Sequence, residues 1–470
     1  MKPIELDSQW IQEVIAGKGF FDWNLAAFEN NINIPFPQSQ QLEVTLRDES
    51  LRDGLGPCPR EPNFQEKKNY LSKASWYAQF LTIGIYSSPD GNNLSRNDQE
   101  TLNLAKWMAI EMPETKPVVL ARANTHDINF LERVRQKNPN LVAIIFQDLS
   151  EVRRRVEAWG KFEIVLGNLV SNVQEAKDRG ISVMAFTENL SITHPDQVKE
   201  YVLAMCAVAD YIGIADTAGR LVPQGAYFLT QTVKETIEEY RRQAGDTRKI
   251  GIVFHGHDDL KNAVPNSMAA IAAGATVVDA VTNGIGERVG NTDLITMVGD
   301  IEHHRRVIAK SAKFSYEPRF NLKELEELSQ LYARITGVEP GEFHPLVGER
   351  AFTTNFGIHA AFYLKVETWA AQMADAGYDR ETVTAFKHEV WRLYSALSPA
   401  DVDKHPDIRV SSLSGAANVI LWAFYQNLIE DARNLDKDTP FVQAALSMAK
   451  AGWGELSDET LMGLWRQHRP

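Results

Sequence analysis

The stretch IGIVFHGHDDLKNAVPNSMAAIAAGATVVDAVTNGIGERVGN, residues 250–291, decides the fold. It opens on an apolar, β-branched run, Ile250 to Phe254, that stops at the polar His255-Gly256-His257-Asp258-Asp259. A longer stretch follows. A second β-branched run, Thr276 to Val281, then leads into the glycine-rich Asn283-Gly284-Ile285-Gly286-Glu287-Arg288-Val289-Gly290-Asn291. Short apolar runs separated by longer stretches are the pattern of strand–helix–strand units around a parallel sheet.

Outward from this stretch the same alternation runs through the middle of the chain. Leu42 to Leu46, Leu81 to Tyr86, Val118 to Ala121, Leu141 to Phe146, Ile181 to Phe186 and Tyr211 to Ala215 are further candidate strands. With the two above they make eight, the number that closes a (β/α)8 TIM barrel. Glu163 to Gly167 competes as a ninth, but Leu166, Leu169, Val170 and Val173 have helical spacing and are read as helix. After about residue 310 amphipathic patterns such as Leu322 to Thr336 and Ala416 to Leu435 take over, which predicts a mostly helical C-terminal region. The expected organisation is an N-terminal extension over 1–40, ending in the turn-rich Ile34-Pro35-Phe36-Pro37, and a TIM-barrel catalytic domain over 41–315. A linker or helical subdomain over 316–395 and a helical C-terminal subdomain over 396–470 complete it, with no separate regulatory domain expected after them.

Composition narrows the function classes. The 470 residues are 44% hydrophobic and 24% charged, and no apolar run approaches the ~18 residues of a membrane span. The acidic, polar start MKPIELDSQWIQEV is no signal peptide, which leaves the cytoplasm as the expected compartment. Cys58 and Cys206 are the only cysteines, too few for a disulfide framework or a CxxC metal site. A net charge of -13 argues against nucleic acid or an anionic membrane as partner, because both reward a basic face, and points to small-molecule chemistry. The basic runs Arg153-Arg154-Arg155 and His303-His304-Arg305-Arg306 read as solvated helix faces.

In a barrel of this kind the active site forms at the carboxyl ends of the strands. Three endings there carry chemistry: Arg47-Asp48-Glu49-Ser50-Leu51-Arg52-Asp53-Gly54 after the first strand, His255 to Asp259 after the seventh, and Asn283 to Asn291 after the eighth. Two histidines at i and i+2 on a terminating strand can reach one ion. With an Asp and an Asn beside them, the imidazole and oxygen donors suit Mg²⁺, Mn²⁺ or Zn²⁺.

Glu49-Ser50-Leu51-Arg52-Asp53-Gly54, the run from His255 to Asn291, and Ala215-Asp216-Thr217-Ala218-Gly219 with Pro223 resemble the signatures of the 2-isopropylmalate synthase and homocitrate synthase family. So do VGERAFTTNFGIHAAFYLK, Val347 to Lys365, and Tyr394 with Ser398-Pro399 and Ser414-Gly415. The resemblance implies a metal-dependent Claisen-type condensation of acetyl-CoA with a 2-oxo acid, giving a 2-hydroxy-dicarboxylic acid and CoA. It implies that Asp53, His255, His257 and Asn291 bind the metal, that Arg52 neutralises the forming alkoxide, and that Thr217 holds the substrate carboxylate. Glu188, and His359 with Tyr394, are its candidates for the base that deprotonates the acetyl methyl. It also implies a homodimer in which one subunit's helical region completes its partner's site.

Arg47-Asp48, a second copy of the Arg-Asp pair, reads as a salt-bridged or surface pair at the end of the first strand. The chain departs from the family pattern at Gly56, usually Gln, at Ile192, commonly Arg, and at Thr354 to His359, which keeps only the second His of His-x-Ser-Gly-Ile-His. These losses concern substrate contacts more than metal ligands. The alternatives are a lyase or aldolase of the 3-hydroxy-3-methylglutaryl-CoA lyase type, disfavoured by the cysteine-free GIGERVGN, and a non-catalytic binding or regulatory barrel, disfavoured by the intact ligand positions.

Overall fold

The computed structural model describes residues 8–16, 42–88, 94–309, 316–317, 320–452 and 454–468. Its centre is a closed barrel of eight parallel strands: β1 (Thr45–Asp48), β2 (Phe80–Ile85), β3 (Lys116–Arg122), β4 (Val142–Phe146), β5 (Ser182–Thr187), β6 (Tyr211–Asp216), β7 (Gly251–Gly256) and β8 (Val277–Ala280). Each strand pairs with its neighbours in chain order, and β1 closes the ring against β8 with Arg47 opposite Asp279. All eight expected strands are present, and Glu163 to Gly167 lies in the helix Phe162–Asp178. Phe80, Val118, Leu120, Val142, Ile144, Met184, Phe186, Ala215, Val253 and Val277 fill the barrel interior. Each large apolar side chain buried in this way contributes about 1.5–3 kcal/mol.

The barrel helices start where short polar side chains can satisfy the free amides of a first turn. Asn63 with Glu66 forms a capping box on Phe64–Ala74, and Ser95 with Asp98 forms one on Arg96–Glu111. Asn124 caps Thr125–Arg135.

The first strand differs from expectation. Leu42–Glu43 pairs outside the barrel with Tyr316–Glu317, and the barrel strand begins at Thr45 and continues through Arg47 and Asp48. Both of those charged residues are therefore buried and neither is at the surface. They are not paired with each other either, because side chains alternate along a strand. Arg47 points into the barrel toward Glu49 and Asp279, whereas Asp48 accepts from the Tyr70 hydroxyl at 2.6 Å.

Contacts divide the chain into a barrel unit and a helical unit, with Glu327–Pro340 clustering with the barrel beyond the expected boundary at 315. Tyr332 explains this: it is fully buried, lies 5.3 Å from the Tyr70 ring and donates to the Ser50 carbonyl at 3.0 Å. The helical unit contains Gly357–Asp375, Arg380–Trp391, Ala416–Tyr425, Pro440–Ala451 and Asp458–His468. Helix Ser8–Ile15, expected in an extension, belongs to this unit because Ile11 and Val14 share a core with Tyr363, Trp391 and Leu421. A second core joins Val419 and Trp422 to Phe441, Leu461 and Leu464. The helix expected over Ala416 to Leu435 stops at Tyr425, where Asn427 turns left-handed at φ 56°. The Ile34 to Pro37 turn lies outside the described residues. Among the described residues no helix is long and apolar enough to cross a membrane.

The basic runs are less solvated than expected. Arg154 is buried and donates to the carbonyls of Leu149 and Gly160, and the run from His303 to Arg306 is half-buried on helix Leu294–Ala309.

Candidate metal centre and substrate cavity

One tight turn after β1 brings two candidate site residues together. The amides of Arg52 and Asp53 both donate to the Glu49 carbonyl, at 3.1 and 3.0 Å, so both residues lie at the mouth of the barrel. β7 carries His255 near its end, and His257 follows one residue past the strand. The Nε2 atoms of the two imidazoles are 3.3 Å apart, with the rings nearly perpendicular at 82°. Asp53 Oδ2 lies 3.7 Å from His255 Nε2.

The glycine-rich loop after β8 folds back on β7. His257 bridges to Asn291 in antiparallel fashion, the Asp258 amide donates to the Gly290 carbonyl at 2.9 Å, and the Thr292 amide donates to the Gly256 carbonyl at 3.1 Å. Gly290 has φ +114°, and a Cβ there would collide with the Gly284 carbonyl, so only glycine closes this loop. The closure delivers Asn291, whose Nδ2 donates to Asp53 Oδ2 at 2.7 Å while its Oδ1 is buried without a partner.

Asp53, His255 and His257 form the one group of this kind among the described residues whose ligand atoms all lie within 4.8 Å of one another. A carboxylate and two imidazoles facing each other, with an orphaned amide oxygen beside them, fit a divalent cation. The electrostatics suit an ion at Asp53 and His257, and at His255 they reflect the carboxylates around it. Burial would raise the Asp53 pKa, but Arg52, His255, His257 and the Asn291 amide outweigh it and hold the carboxyl below its usual range. Burial and the neighbouring His255 push His257 down to about 4, leaving its ring neutral as a ligand must be. Burial also opposes charge on His255, yet Asp279 and Asp53 prevail and its pKa lies above the ordinary value.

Behind the candidate ligands is a buried network that sequence reasoning missed. Asp279 Oδ2 is 3.1 Å from His255 Nδ1 and also accepts from Arg47, whose Nη2 lies 3.0 Å from Glu49 Oε1. A carboxylate on the far nitrogen of a ligating histidine fixes its tautomer and orientation. The available signal was Asp279 itself, a lone acid inside the apolar TVVDAV.

The mouth opens on a cavity of about 210 Å³ lined by Arg47, Arg52, Asp53, Leu120, Ile144, Phe146, Phe186, Glu188, Ala215, Thr217, His255, His257, Glu287 and Arg288. Glu188, just past β5, is raised above its ordinary pKa chiefly by burial, against the lowering influence of Arg153, 3.3 Å away. Arg153 is thus a neighbour of the site, where the sequence suggested only a solvated face. Thr217 Oγ1 accepts the Asn189 amide at 2.9 Å, which leaves its own hydroxyl hydrogen free to donate. Arg288 is fixed by both oxygens of Asp259, each at 2.8 Å. Ile192 is 43% exposed and outside the lining.

His359 and Tyr394 belong to the helical unit. They are 35 residues apart in the chain yet have ring centroids 4.3 Å apart, with Phe362 5.2 Å and Tyr363 5.7 Å from Tyr394. The structure therefore gathers the expected residues into two groups, seven at the barrel mouth and two in the helical unit.

The HMGL-like family model matches residues 43–331. The chain is 28% identical over 327 residues to the 2-isopropylmalate synthase of Bacillus anthracis, covering 69% of this chain and 60% of that protein. It is 28% identical over 339 residues to homocitrate synthase AksA of Methanothermobacter thermautotrophicus, covering 71% and 77%. It is 29% identical over 287 residues to the (R)-citramalate synthase of Sulfolobus acidocaldarius, covering 60% and 46%. The chain thus spans less than two thirds of the length of several synthases that it matches.

Proposed function

The chain belongs to the HMGL-like family, and from that premise we propose that it condenses acetyl-CoA with a 2-oxo acid, releasing CoA and an alkylmalate-like 2-hydroxy-dicarboxylic acid. The observation that carries the reading is the convergence of Asp53, His255 and His257 with Arg52, Glu188 and Thr217 on one cavity at the barrel mouth. The synthase names of the relatives support it.

In this reading Asp53, His255, His257 and Asn291 hold a divalent ion, Mg²⁺, Mn²⁺ or Zn²⁺. Bound there, it supplies a Lewis acid for the oxygen on which charge develops. Thr217 donates its hydroxyl to the carboxylate of the 2-oxo acid and fixes how that substrate faces the site. Arg52, planar and permanently charged, lies beside the oxygen that becomes an alkoxide and stabilises it only once the carbonyl is attacked. A base takes a proton from the acetyl methyl, the resulting carbon bonds to C2 of the 2-oxo acid, the alkoxide takes up a proton, and water cleaves the thioester to release the thiol. Glu188 suits the role of base because burial raises its proton affinity above that of an ordinary carboxylate. His359 with Tyr394 is the other candidate, contributed by the helical unit of a second copy in a homodimer.

The test is to incubate the purified chain with acetyl-CoA and 2-oxo acids, following free thiol and the mass of the product. Thiol release that depends on both substrates and yields the two-carbon-extended hydroxy acid supports the reading. Cleavage of hydroxyacyl-CoA esters without condensation contradicts it and favours the lyase reading.

A further inference from the structure

The cavity has two chemically distinct sides. Ion ligands, Arg52, Glu188 and Thr217 make one. The other is hydrocarbon carried on four successive strands: Leu120 on β3, Ile144 and Phe146 on β4, Phe186 on β5 and Ala215 on β6. This wall is set by the barrel itself, since strand residues are held by backbone pairing on both sides. Gly213 secures the position of Phe186, because a Cβ at that glycine would collide with the phenyl ring.

Arg47 is the cation on this side, with its guanidinium 5.3 Å from the centre of the Phe186 ring. Two buried carboxylates, Glu49 and Asp279, already face it. Arg288 also lines the cavity but is held by both oxygens of Asp259. On the apolar side a carboxylate at the far end of a substrate would lie against hydrocarbon or beside Glu49 and Asp279, and a buried charge without its own counter-ion is strongly disfavoured. The opposing feature is that Arg47 Nε is buried without a partner and Nη1 meets only the Met184 sulfur at 3.9 Å. Those free donors are how a dicarboxylic substrate would be read, so dicarboxylic acids form one arm of the test. A cavity of about 210 Å³ has the liquid volume of about seven waters, which limits the side chain to a few carbons.

Resting on the condensation reading above, we propose that the 2-oxo acid carries an apolar side chain of two or more carbons and no second carboxylate. The side chain lies against Leu120, Ile144, Phe146 and Phe186, while C1 and C2 face Thr217 and the ion ligands.

The experiment uses the full chain, loaded with divalent metal, in a thiol-release assay. Acetyl-CoA is paired in turn with 3-methyl-2-oxobutanoate, 4-methyl-2-oxopentanoate, 2-oxobutanoate, pyruvate, oxaloacetate and 2-oxoglutarate. Calorimetry measures binding of the same acids. The expected result is a kcat/KM for the best apolar acid at least ~10²-fold above either dicarboxylic acid, and above that for pyruvate. In Ile144→Ala the preference for 4-methyl-2-oxopentanoate over 3-methyl-2-oxobutanoate should rise by about 10-fold, the scale of one methylene in an apolar pocket. Preference for a dicarboxylic acid or pyruvate, or an unchanged ratio in Ile144→Ala, overturns the inference and leaves the condensation standing. Binding of the apolar acids in the same order without thiol release overturns the condensation and leaves the pocket assignment. Neither binding nor thiol release overturns both.

Discussion

The tripeptide Leu-Arg-Asp occurs twice within eight residues, as Leu46-Arg47-Asp48 and Leu51-Arg52-Asp53, and the two copies have different fates. The first lies inside β1, where alternation sends Arg47 into the barrel and Asp48 out to Tyr70 and Ser50. The second lies in the turn beyond the strand, where a non-alternating backbone lets Arg52 and Asp53 share the mouth with the histidines. Identical side chains become scaffold or candidate chemistry according to whether the strand has ended. The first copy sits in the buried network behind the mouth, and the second is the one we propose for the reaction.

The largest effect that sharpens this contrast belongs to the ligands that the second copy faces. His255→Ala or His257→Ala should abolish turnover while circular dichroism stays that of the native chain, because both side chains line the cavity and neither belongs to the barrel's apolar core. Full ion occupancy and normal activity in either variant would remove the proposed site.

Arg52→Lys keeps the charge and loses the planar fork, so kcat should fall on the order of 10²-fold with a smaller change in KM. Steady-state kinetics of Arg52→Lys and Arg47→Lys side by side give the check. If Arg47→Lys loses kcat in this way and Arg52→Lys does not, the roles of the two copies are exchanged.

A smaller and purely structural effect belongs to Asp48. Burial raises its carboxyl from 3.8 to about 6, against the hydrogen bonds of Tyr70 and Ser50. A group raised in the folded state contributes stability below its unfolded pKa and loses it as pH rises through the folded value. Asp48 therefore weakens the fold progressively between about pH 4 and 6 and remains unfavourable above that, by on the order of 3 kcal/mol at most. Asp48→Asn should gain stability relative to the parent between pH 4 and 7, read from urea midpoints at each pH. A constant difference across that range would contradict the assignment.

The reach of the second copy beyond its own barrel is open to a mixing test. On the proposed homodimer, Arg52→Lys and His359→Ala, each impaired alone, should regain part of the lost activity when copies exchange, because one site of a mixed dimer would then draw both halves from undamaged copies. No recovery in mixed dimers isolated by two affinity tags would place His359's action within its own chain or remove it.

The barrel was legible because each strand is an apolar run with polar punctuation at its end. The end of β1 was not, since Arg47 and Asp48 look like punctuation and are instead buried with Asp279, Glu49 and Tyr70, partners up to 232 residues away. The convergence of the candidate ligands was legible through the spacing of His255 and His257 and through the glycine loop that carries Asn291. Asp279 was hidden as one letter in a strand, and Arg153 reaches Glu188 only through the fold. The His359–Tyr394 pair rested on family resemblance alone, as no local spacing announces a contact across 35 residues.

Metal content of two aspartate variants tests the central claim most directly. Asp53→Ala and Asp48→Asn would be stripped with chelator, reloaded with Mn²⁺ and passed over a desalting column, with bound metal and thiol release measured on the same samples. The account predicts that Asp53→Ala holds little metal and makes no product, whereas Asp48→Asn matches the parent in both. Metal loss in Asp48→Asn with full occupancy and turnover in Asp53→Ala would contradict it.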